Sequence, residues 1–150
     1  MNRLYKSVIA ASVFSVLAAA TASAGPVEDR KELMKTVVKS LKLSIKMVKG
    51  EMPYDAAAAA AAMQTIHEVP DKYIKLFPEG SDKHPETEAS PRIWQDMKGF
   101  VEKAEDMKIA SAKTRDAASQ GLDAFKAALF GELVKTCKGC HEAYRIKKEK

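Results

Sequence analysis

The first half of the chain shows the apolar period of two amphipathic helices. Residues 27–49 contain no Gly or Pro, and apolar residues recur there every three or four positions: Leu33, Val37, Leu41, Ile45 and Val48. This spacing predicts a helix with one buried face and a largely lysine-lined polar face. After a break at Gly50, Asp55 is placed to cap a second helix that begins with seven alanines. We expect this helix to continue, bent near Pro70, to about Leu76.

A third helix is predicted after a long connection. Residues 77–90 contain three helix-breaking residues and mixed charges, which predict a loop. Ser90 and Pro91 then suit the N-cap and first position of a helix that runs to about Arg115. Its predicted buried stripe, with Trp94 and Val101 beside it, is Ile93, Met97, Phe100, Ala104 and Met107.

The last predicted helix follows a short turn at Ser119 and Gly121. One of its faces carries Leu122, Phe125, Leu129, Leu133, Thr136 and Cys140. No segment shows sustained alternation of apolar and polar residues, so the pattern predicts four helices and no strand. The fold class consistent with this order is all-α, an antiparallel up-down-up-down four-helix bundle.

The first 24 residues have the features of a secretory signal. Two basic residues precede an uncharged apolar run over residues 7–20, and Ala22-Ser23-Ala24 offers small residues for cleavage. The expected regions are therefore a cleaved signal peptide, 1–24, and a bundle domain, 25–150, in the periplasm. An uncleaved membrane anchor is the alternative, which the short apolar run disfavours. No segment of the mature chain is apolar enough to span a membrane.

Charge and composition narrow the function classes. The formal net charge is +5, and two of the positive charges belong to the predicted signal. The lysines are scattered and no Arg-rich patch alternates with aromatics, so nucleic-acid binding is not predicted. No hydrolytic triad, phosphate loop or paired carboxylate site emerges, so we do not expect an enzyme.

Cys137, Cys140 and His141 form a C-x-x-C-H motif close to the end of the last helix. This is the attachment signature of c-type haem. Two thiols add to the vinyl groups of the porphyrin, and the imidazole binds the iron. At helical spacing the three side chains share one face.

Other chemistries also use paired cysteines. A zinc site usually needs four ligands, and the remaining histidines, His67 and His84, form no ligand pair. A thioredoxin-like redox pair is expected beside a βαβ unit, which the pattern lacks. A structural disulfide between Cys137 and Cys140 is the remaining alternative, because exported proteins often contain disulfides. The motif favours one covalent haem c.

Several stretches of the chain together resemble the cytochrome c′ and cytochrome c-556 family. They are Arg30-Lys31-Glu32-Leu33-Met34, Lys49-Gly50-Glu51-Met52-Pro53-Tyr54-Asp55, Pro91-Arg92-Ile93-Trp94, and the haem motif with Tyr144 and Arg145. The resemblance covers essentially the whole mature chain. It implies a haem inside the bundle, joined to Cys137 and Cys140, with His141 as proximal iron ligand. It also implies that Met34 faces the other side of the iron, and that Arg30 lies near a haem propionate.

Met34 separates the two branches of this family. In the c-556 branch the methionine thioether binds iron, which gives a low-spin electron carrier. In the c′ branch an apolar residue leaves a five-coordinate, high-spin iron that binds nitric oxide or carbon monoxide. Some five-coordinate relatives also carry methionine at this position. Arg30 is more typical of the c′ branch, whereas residues 49–55 look closer to c-556. We expect ligation by Met34 and electron transfer, with gas binding as the alternative.

The resemblance further implies redox partner proteins in the periplasm. The expected docking surface surrounds the exposed haem edge and contains Lys138, Arg145, Lys147 and Lys148. Compensation of the helix dipole and solubility would account for these residues equally well. A homodimer is compatible with the family.

Overall fold

The computed structural model describes residues 25–146. The predicted signal peptide lies outside this range, as do Lys147 and Lys148. Within it, extended backbone pairs only in an isolated antiparallel bridge between Ala89 and Arg145. The predicted all-α class is confirmed.

Four long helical segments form the antiparallel bundle. In chain order the elements are α1 (Pro26–Val48), α2 (Ala56–His67), α3 (Pro70–Tyr73), a 3₁₀ turn (Ile74–Leu76), α4 (Arg92–Gln95), α5 (Met97–Ala117), a 3₁₀ turn (Ala118–Gln120), α6 (Leu122–Ala128), a π-helical turn (Leu129–Leu133) and α7 (Val134–Tyr144). The last three are continuous and make the fourth helix of the bundle. The predicted four-helix bundle is thus confirmed. The second helix was predicted to continue through a bend near Pro70, but it breaks there instead: α2 ends at His67 and α3 begins at Pro70.

The connection between α1 and α2 is tied to the fourth helix. Asp55 caps α2 as predicted, because its Oδ1 accepts a hydrogen bond from the Ala58 N–H at 3.0 Å. The Tyr54 ring lies 5.9 Å from the Phe125 ring, centroid to centroid. Its hydroxyl donates to the Ala118 carbonyl at 2.7 Å. The turn therefore helps to fix the start of α2 against the connection between α5 and α6 at the same end of the bundle.

The third helix begins differently from the prediction. Arg92–Gln95 is a separate turn, and α5 starts only at Met97. Asp96 caps α5, with its Oδ1 accepting from the Gly99 N–H at 3.0 Å. The prediction of one helix from Ser90 was wrong here, because an Asp side chain that bonds the backbone three residues later favours a helix start.

Two hydrophobic clusters fill the bundle. The larger cluster joins the four long helices and includes Met47, Met63, Ile66, Phe125, Leu129 and Leu133. The smaller cluster consists of Phe77, Ile93, Phe100 and Tyr144. It lies where the loop after α3 and the start of α5 meet the end of α7.

The buried face of α1 contains fewer large apolar residues than predicted. Val37 is buried, but the other predicted members are only half-buried: Leu33, Leu41, Ile45 and Val48. Ser40 and Ser44 are buried in their place, and Ser44 Oγ donates to the Ser40 carbonyl at 3.0 Å. Hydropathy could not detect this face, because a serine that bonds its own helix can be buried at little cost.

Candidate haem-binding site

The C-x-x-C-H motif lies in α7, which ends at Tyr144. Cys137 packs against the larger hydrophobic cluster and Cys140 against the smaller one. Both are free thiols and half-buried, whereas His141 is exposed. The two sulfurs therefore face the interior, and the imidazole lies at the surface beside them.

A π-helical turn, Leu129–Leu133, directly precedes α7. Its hydrogen bonds span five residues instead of four, so everything after it is rotated relative to an unbroken α-helix. Leu129 and Leu133 are fully buried on either side of the turn, and Cys137 follows Leu133 by four residues. The turn thus sets the direction in which the motif faces, and the apolar period of the sequence did not indicate it.

Burial raises the pKa of both thiols. Desolvation raises the pKa of Cys137, with a hydrogen bond to Thr136 acting in the opposite direction. Desolvation, together with the nearby Cys137, raises the pKa of Cys140 to about 11. Thiol–disulfide exchange needs a thiolate of low pKa, so this pair does not suit redox exchange. The spacing of the two thiols, with a histidine directly after the second, suits thioether attachment of haem.

The surroundings of His141 favour the neutral form of its imidazole, because they lower its pKa. Partial desolvation, followed by the positive charge of Arg145, lowers the pKa of His141, and Glu88 opposes this shift. A neutral imidazole is the form that binds iron. Arg145 is itself held in place, because Nε and Nη2 donate to Glu88 Oε2 at 2.8 and 2.5 Å.

The end of α7 is fastened to the loop before α4 and to the start of α5. The Tyr144 hydroxyl donates to Asp96 Oδ2 at 2.7 Å. The Ser90 N–H donates to the Tyr144 carbonyl at 2.9 Å, and the Ile146 N–H donates to the Glu88 carbonyl at 2.8 Å. The segment that carries His141 is therefore anchored just beyond the motif. These anchors join residues about 50 positions apart, so no local pattern in the sequence indicates them.

Met34 lies on α1 and is half-buried. It packs against the same large cluster as Cys137, so the fold brings both to one core. The other histidines are occupied elsewhere: His67 Nδ1 lies 3.0 Å from the Lys108 carbonyl oxygen, and His84 Nδ1 accepts from the Glu86 N–H. No cluster of three metal-ligating side chains occurs in residues 25–146.

Arg30 lies one helical turn before Met34 and is buried, with 5% of its surface exposed. Its Nε donates to the Pro26 carbonyl at 3.1 Å and its Nη2 to the Ser81 carbonyl at 3.3 Å. The guanidinium carbon lies 4.5 Å from the centroid of the Phe77 ring, and burial lowers the pKa of the group. Within the described range, Nη1 is buried with no hydrogen-bond partner. An unused donor on a buried cation fits a carboxylate such as a haem propionate.

An aromatic group adjoins Cys140 and Arg30. Phe77 makes edge contacts with Tyr73, Trp94 and Phe100 at centroid distances of 5.1, 5.8 and 4.7 Å, and Phe100 contacts Tyr144 at 5.4 Å. Apolar and aromatic walls with a few placed polar groups are typical of cofactor sites. Together with two thiols, an imidazole and a thioether, this donor set fits haem c.

Comparisons with known proteins point to the same cofactor. A family model described as Cytochrome C' matches residues 25–145. The chain is 35% identical to a cytochrome c-556 from Agrobacterium fabrum over 145 residues, covering 95% of this chain and 97% of the relative. It is 34% identical to a cytochrome c′ from Cereibacter sphaeroides over 149 residues, covering 95% and 99%.

Solved structures share the fold. A cytochrome c′ from Rhodobacter spheriodes superposes with a TM-score of 0.74 at 36% identity, covering 82% of this chain and 96% of that chain. A nitric oxide complex of a mutant cytochrome c prime from Alcaligenes xylosoxidans superposes with a TM-score of 0.71 at 30% identity, covering 83% and 98%.

Proposed function

This chain belongs to the cytochrome c′ family, and on that premise we propose that it is a periplasmic electron carrier whose iron is ligated by His141 and Met34. Members of this family bind one covalent haem c, and electron transfer is the function that the family supports. Cys137 and Cys140 are the proposed attachment points. Arg30 is the proposed contact of a propionate. The mature chain is proposed to begin at Gly25.

The position of Met34 is the observation that carries this proposal. Its half-buried side chain packs against the core that Cys137 also contacts, and Arg30 offers an unused donor one turn earlier on the same helix. Haem c supplies one-electron chemistry when bound, and a Met/His ligand pair raises its reduction potential. The similarity to a cytochrome c-556 supports this branch.

Contacts outside the motif fix the end of α7 beside His141. Glu88 and Asp96 anchor Arg145 and Tyr144, so the helix end next to His141 has little freedom to move. The aromatic group around Phe77 gives Cys140 an apolar surface to pack against. Little rearrangement between oxidation states is what an electron carrier needs, and a rigid apolar site provides it.

The ferric optical spectrum tests ligation by Met34. We expect the wild-type protein to be low-spin, with the weak far-red sulfur-to-iron band. Met34→Ala should open the sixth position, giving a high-spin spectrum, strong carbon monoxide binding to the ferrous protein and a lower reduction potential. The loss of packing should lower the free energy of unfolding by up to about 2 kcal/mol, because the side chain is only half-buried.

Met52→Ala is the matched control for this experiment. Met52 is also half-buried against the large cluster, so its loss should lower stability similarly. It should leave the spin state unchanged. A high-spin ferric spectrum of the wild-type protein at neutral pH would contradict the electron-carrier proposal.

Gas binding is the second candidate function. The observation that favours it is the similarity to a cytochrome c prime solved as a nitric oxide complex. In that case Met34 packs over the iron without binding it, and the wild-type protein is already high-spin. Met34→Ala would then change the rate of gas entry and leave the spin state as it was.

The predicted docking surface at the end of α7 is less basic than expected. Lys138 lies 3.7 Å from Glu142, and Arg145 is paired with Glu88. Lys147 and Lys148 lie outside the described residues. No helix within residues 25–146 is long and apolar enough to cross a membrane. Binding of a periplasmic redox partner is also proposed, and a homodimer is compatible with the proposal.

A further inference from the structure

The outer side of α1 carries a row of lysines, here called the α1 lysine row. Its members are Lys31, Lys35, Lys39, Lys42, Lys46 and Lys49. Spacing of three or four residues places them along one side of the helix over about 27 Å. The buried residues of α1, such as Val37, Ser44 and Met47, lie on the opposite side. Between Leu33 and Gly50 the sequence contains no acidic residue.

Carboxylates neutralise the ends of this row but not its middle. The ion pairs at the ends are Lys31 with Glu86, Lys35 with Glu32 at 2.5 Å, and Lys49 with Glu51 at 3.8 Å. Lys39, Lys42 and Lys46 are exposed and form no side-chain hydrogen bond or ion pair with another described residue. Two turns of the helix therefore present three positive charges that the chain itself does not compensate.

Apolar side chains accompany the row. Val38 is 47% exposed and Leu43 is 36% exposed. Val38 lies three residues after Lys35 and four before Lys42, so it shares their side of the helix. Small apolar contacts among charged ones are typical of transient protein interfaces. A helix that lies on a lipid surface inserts aromatic or leucine-rich faces, but the buried side of α1 packs inside the bundle and its outer side carries only Val38 and Leu43 among the lysines.

We propose that the α1 lysine row is the docking surface for an acidic face of a partner protein. Charge complementarity is the basis of recognition, because the central lysines lack carboxylates that a partner can supply. A second copy of this chain is a poor occupant, since a two-fold contact would place the row against itself. The row also differs from the predicted docking surface at the end of α7, where Lys138 and Arg145 are already paired with carboxylates.

The row lies on the helix that carries Met34. A partner on the outer side of α1 is separated from the bundle interior by one helix, about 10 Å across. The claim that electrons pass through this contact rests on the proposed function. The claim that a partner binds the row is independent of the proposed function, because it depends only on charge and shape. Complexes of this kind are small and weak.

Two charge-reversal variants with the same change in net charge test the binding claim. The row variant is Lys39→Glu/Lys42→Glu/Lys46→Glu. The control variant is Lys72→Glu/Lys83→Glu/Lys126→Glu, at exposed lysines without ion pairs in the described range. The probe is a fluorescein-labelled polyglutamate peptide, and its fluorescence anisotropy gives the dissociation constant at low ionic strength.

We expect the row variant to bind the peptide at least about tenfold more weakly, and the control variant to stay within about threefold of wild type. Equal losses in both variants would mean that only net charge matters and would overturn the proposal. Binding that is unchanged in the row variant would also overturn it. A Lys→Gln version of the row variant, compared by circular dichroism and peptide binding, separates loss of charge from loss of folding.

Two further measurements complete the test. Both probes are polyanions, so the row variant should lose binding to vesicles of phosphatidylglycerol and phosphatidylcholine by no larger a factor than it loses peptide binding. Selective loss of vesicle binding with intact peptide binding would overturn the protein partner in favour of a membrane. Oxidation of the ferrous protein by ferricyanide should slow more in the row variant than in the control. Equal slowing would overturn electron transfer through the row. A high-spin wild-type spectrum would contradict only the proposed function.

Discussion

Individual side chains at this site are held by residues that are distant in the sequence. Arg30 lies on α1, yet its guanidinium bonds the Ser81 carbonyl and stacks on Phe77. Asp96 caps α5 and, with its other oxygen, accepts the hydroxyl of Tyr144. Asp96 thus caps α5 and also anchors the end of α7, so small changes at a residue that contacts Asp96 affect both helices.

Gly99 is the neighbour that shows this most clearly. A Cβ at this position would lie 2.5 Å from both Asp96 Oδ2 and the Tyr144 hydroxyl. Helix propensity alone predicts that Gly99→Ala stabilises the protein by about 1 kcal/mol. We expect the opposite sign, because the Asp96–Tyr144 hydrogen bond must break or shift to admit the methyl group.

Urea denaturation of Gly99→Ala and Gly131→Ala checks this prediction. No atom lies within 4 Å of a Cβ built on Gly131, so the control substitution should be neutral or stabilising. A Gly99→Ala protein that is more stable than wild type would show that the side-chain bond contributes nothing.

At the scale of elements, small residues determine how closely the helices pack. Ala59 in α2 is completely buried, and so are Ser111 and Thr114 in α5. Both hydroxyls donate to carbonyls of their own helix, at 2.8 Å in each case. Because short side chains let neighbouring helices approach, the alanine run that looks like low complexity is a packing surface.

The alanine run offers a matched pair of substitutions. Ala59 is buried, whereas Ala61 in the same helix is exposed. Ala59→Leu should lower the free energy of unfolding by about 1–3 kcal/mol, because the extra atoms have no space. Ala61→Leu should change it by less than about 0.5 kcal/mol. Chemical denaturation measures both, and similar values for the two variants would contradict close packing at Ala59.

At the scale of the whole molecule, the two hydrophobic clusters meet at the haem motif. Cys137 contacts the larger cluster and Cys140 the smaller one. The long loop after α3 and the start of α5 complete the smaller cluster. The two cysteines of the motif therefore link the two clusters, so a cofactor attached to them would lie next to both.

The intact mass of the exported protein, measured after denaturation, tests the whole assembly. We expect the mass of residues 25–150 plus one haem, because thioether bonds survive unfolding. The Cys137→Ala/Cys140→Ala variant should lack the haem mass. A wild-type mass that includes residues 1–24 would support the alternative of an uncleaved membrane anchor. A mass without haem would contradict covalent attachment.

The sequence by itself determined the fold class, the number of long helices and the haem motif. Helical period, Asp55 as a cap and the three- and four-residue spacings of Cys137, Cys140 and His141 are properties of neighbouring residues, which a sequence displays directly. Met34 and Arg30 came from resemblance to a family. They lie one helical turn apart on α1, and their roles stay predictions.

Only the tertiary structure decided how these parts are oriented. It showed the buried serines of α1, the helix start at Asp96, the π-helical turn before the motif and the pairing of Arg145 with Glu88. The contacts of Arg30 with Ser81 and of Arg145 with Glu88 join residues 51 and 57 positions apart. Such contacts leave no local period in a sequence, because they depend on which faces meet when the helices pack.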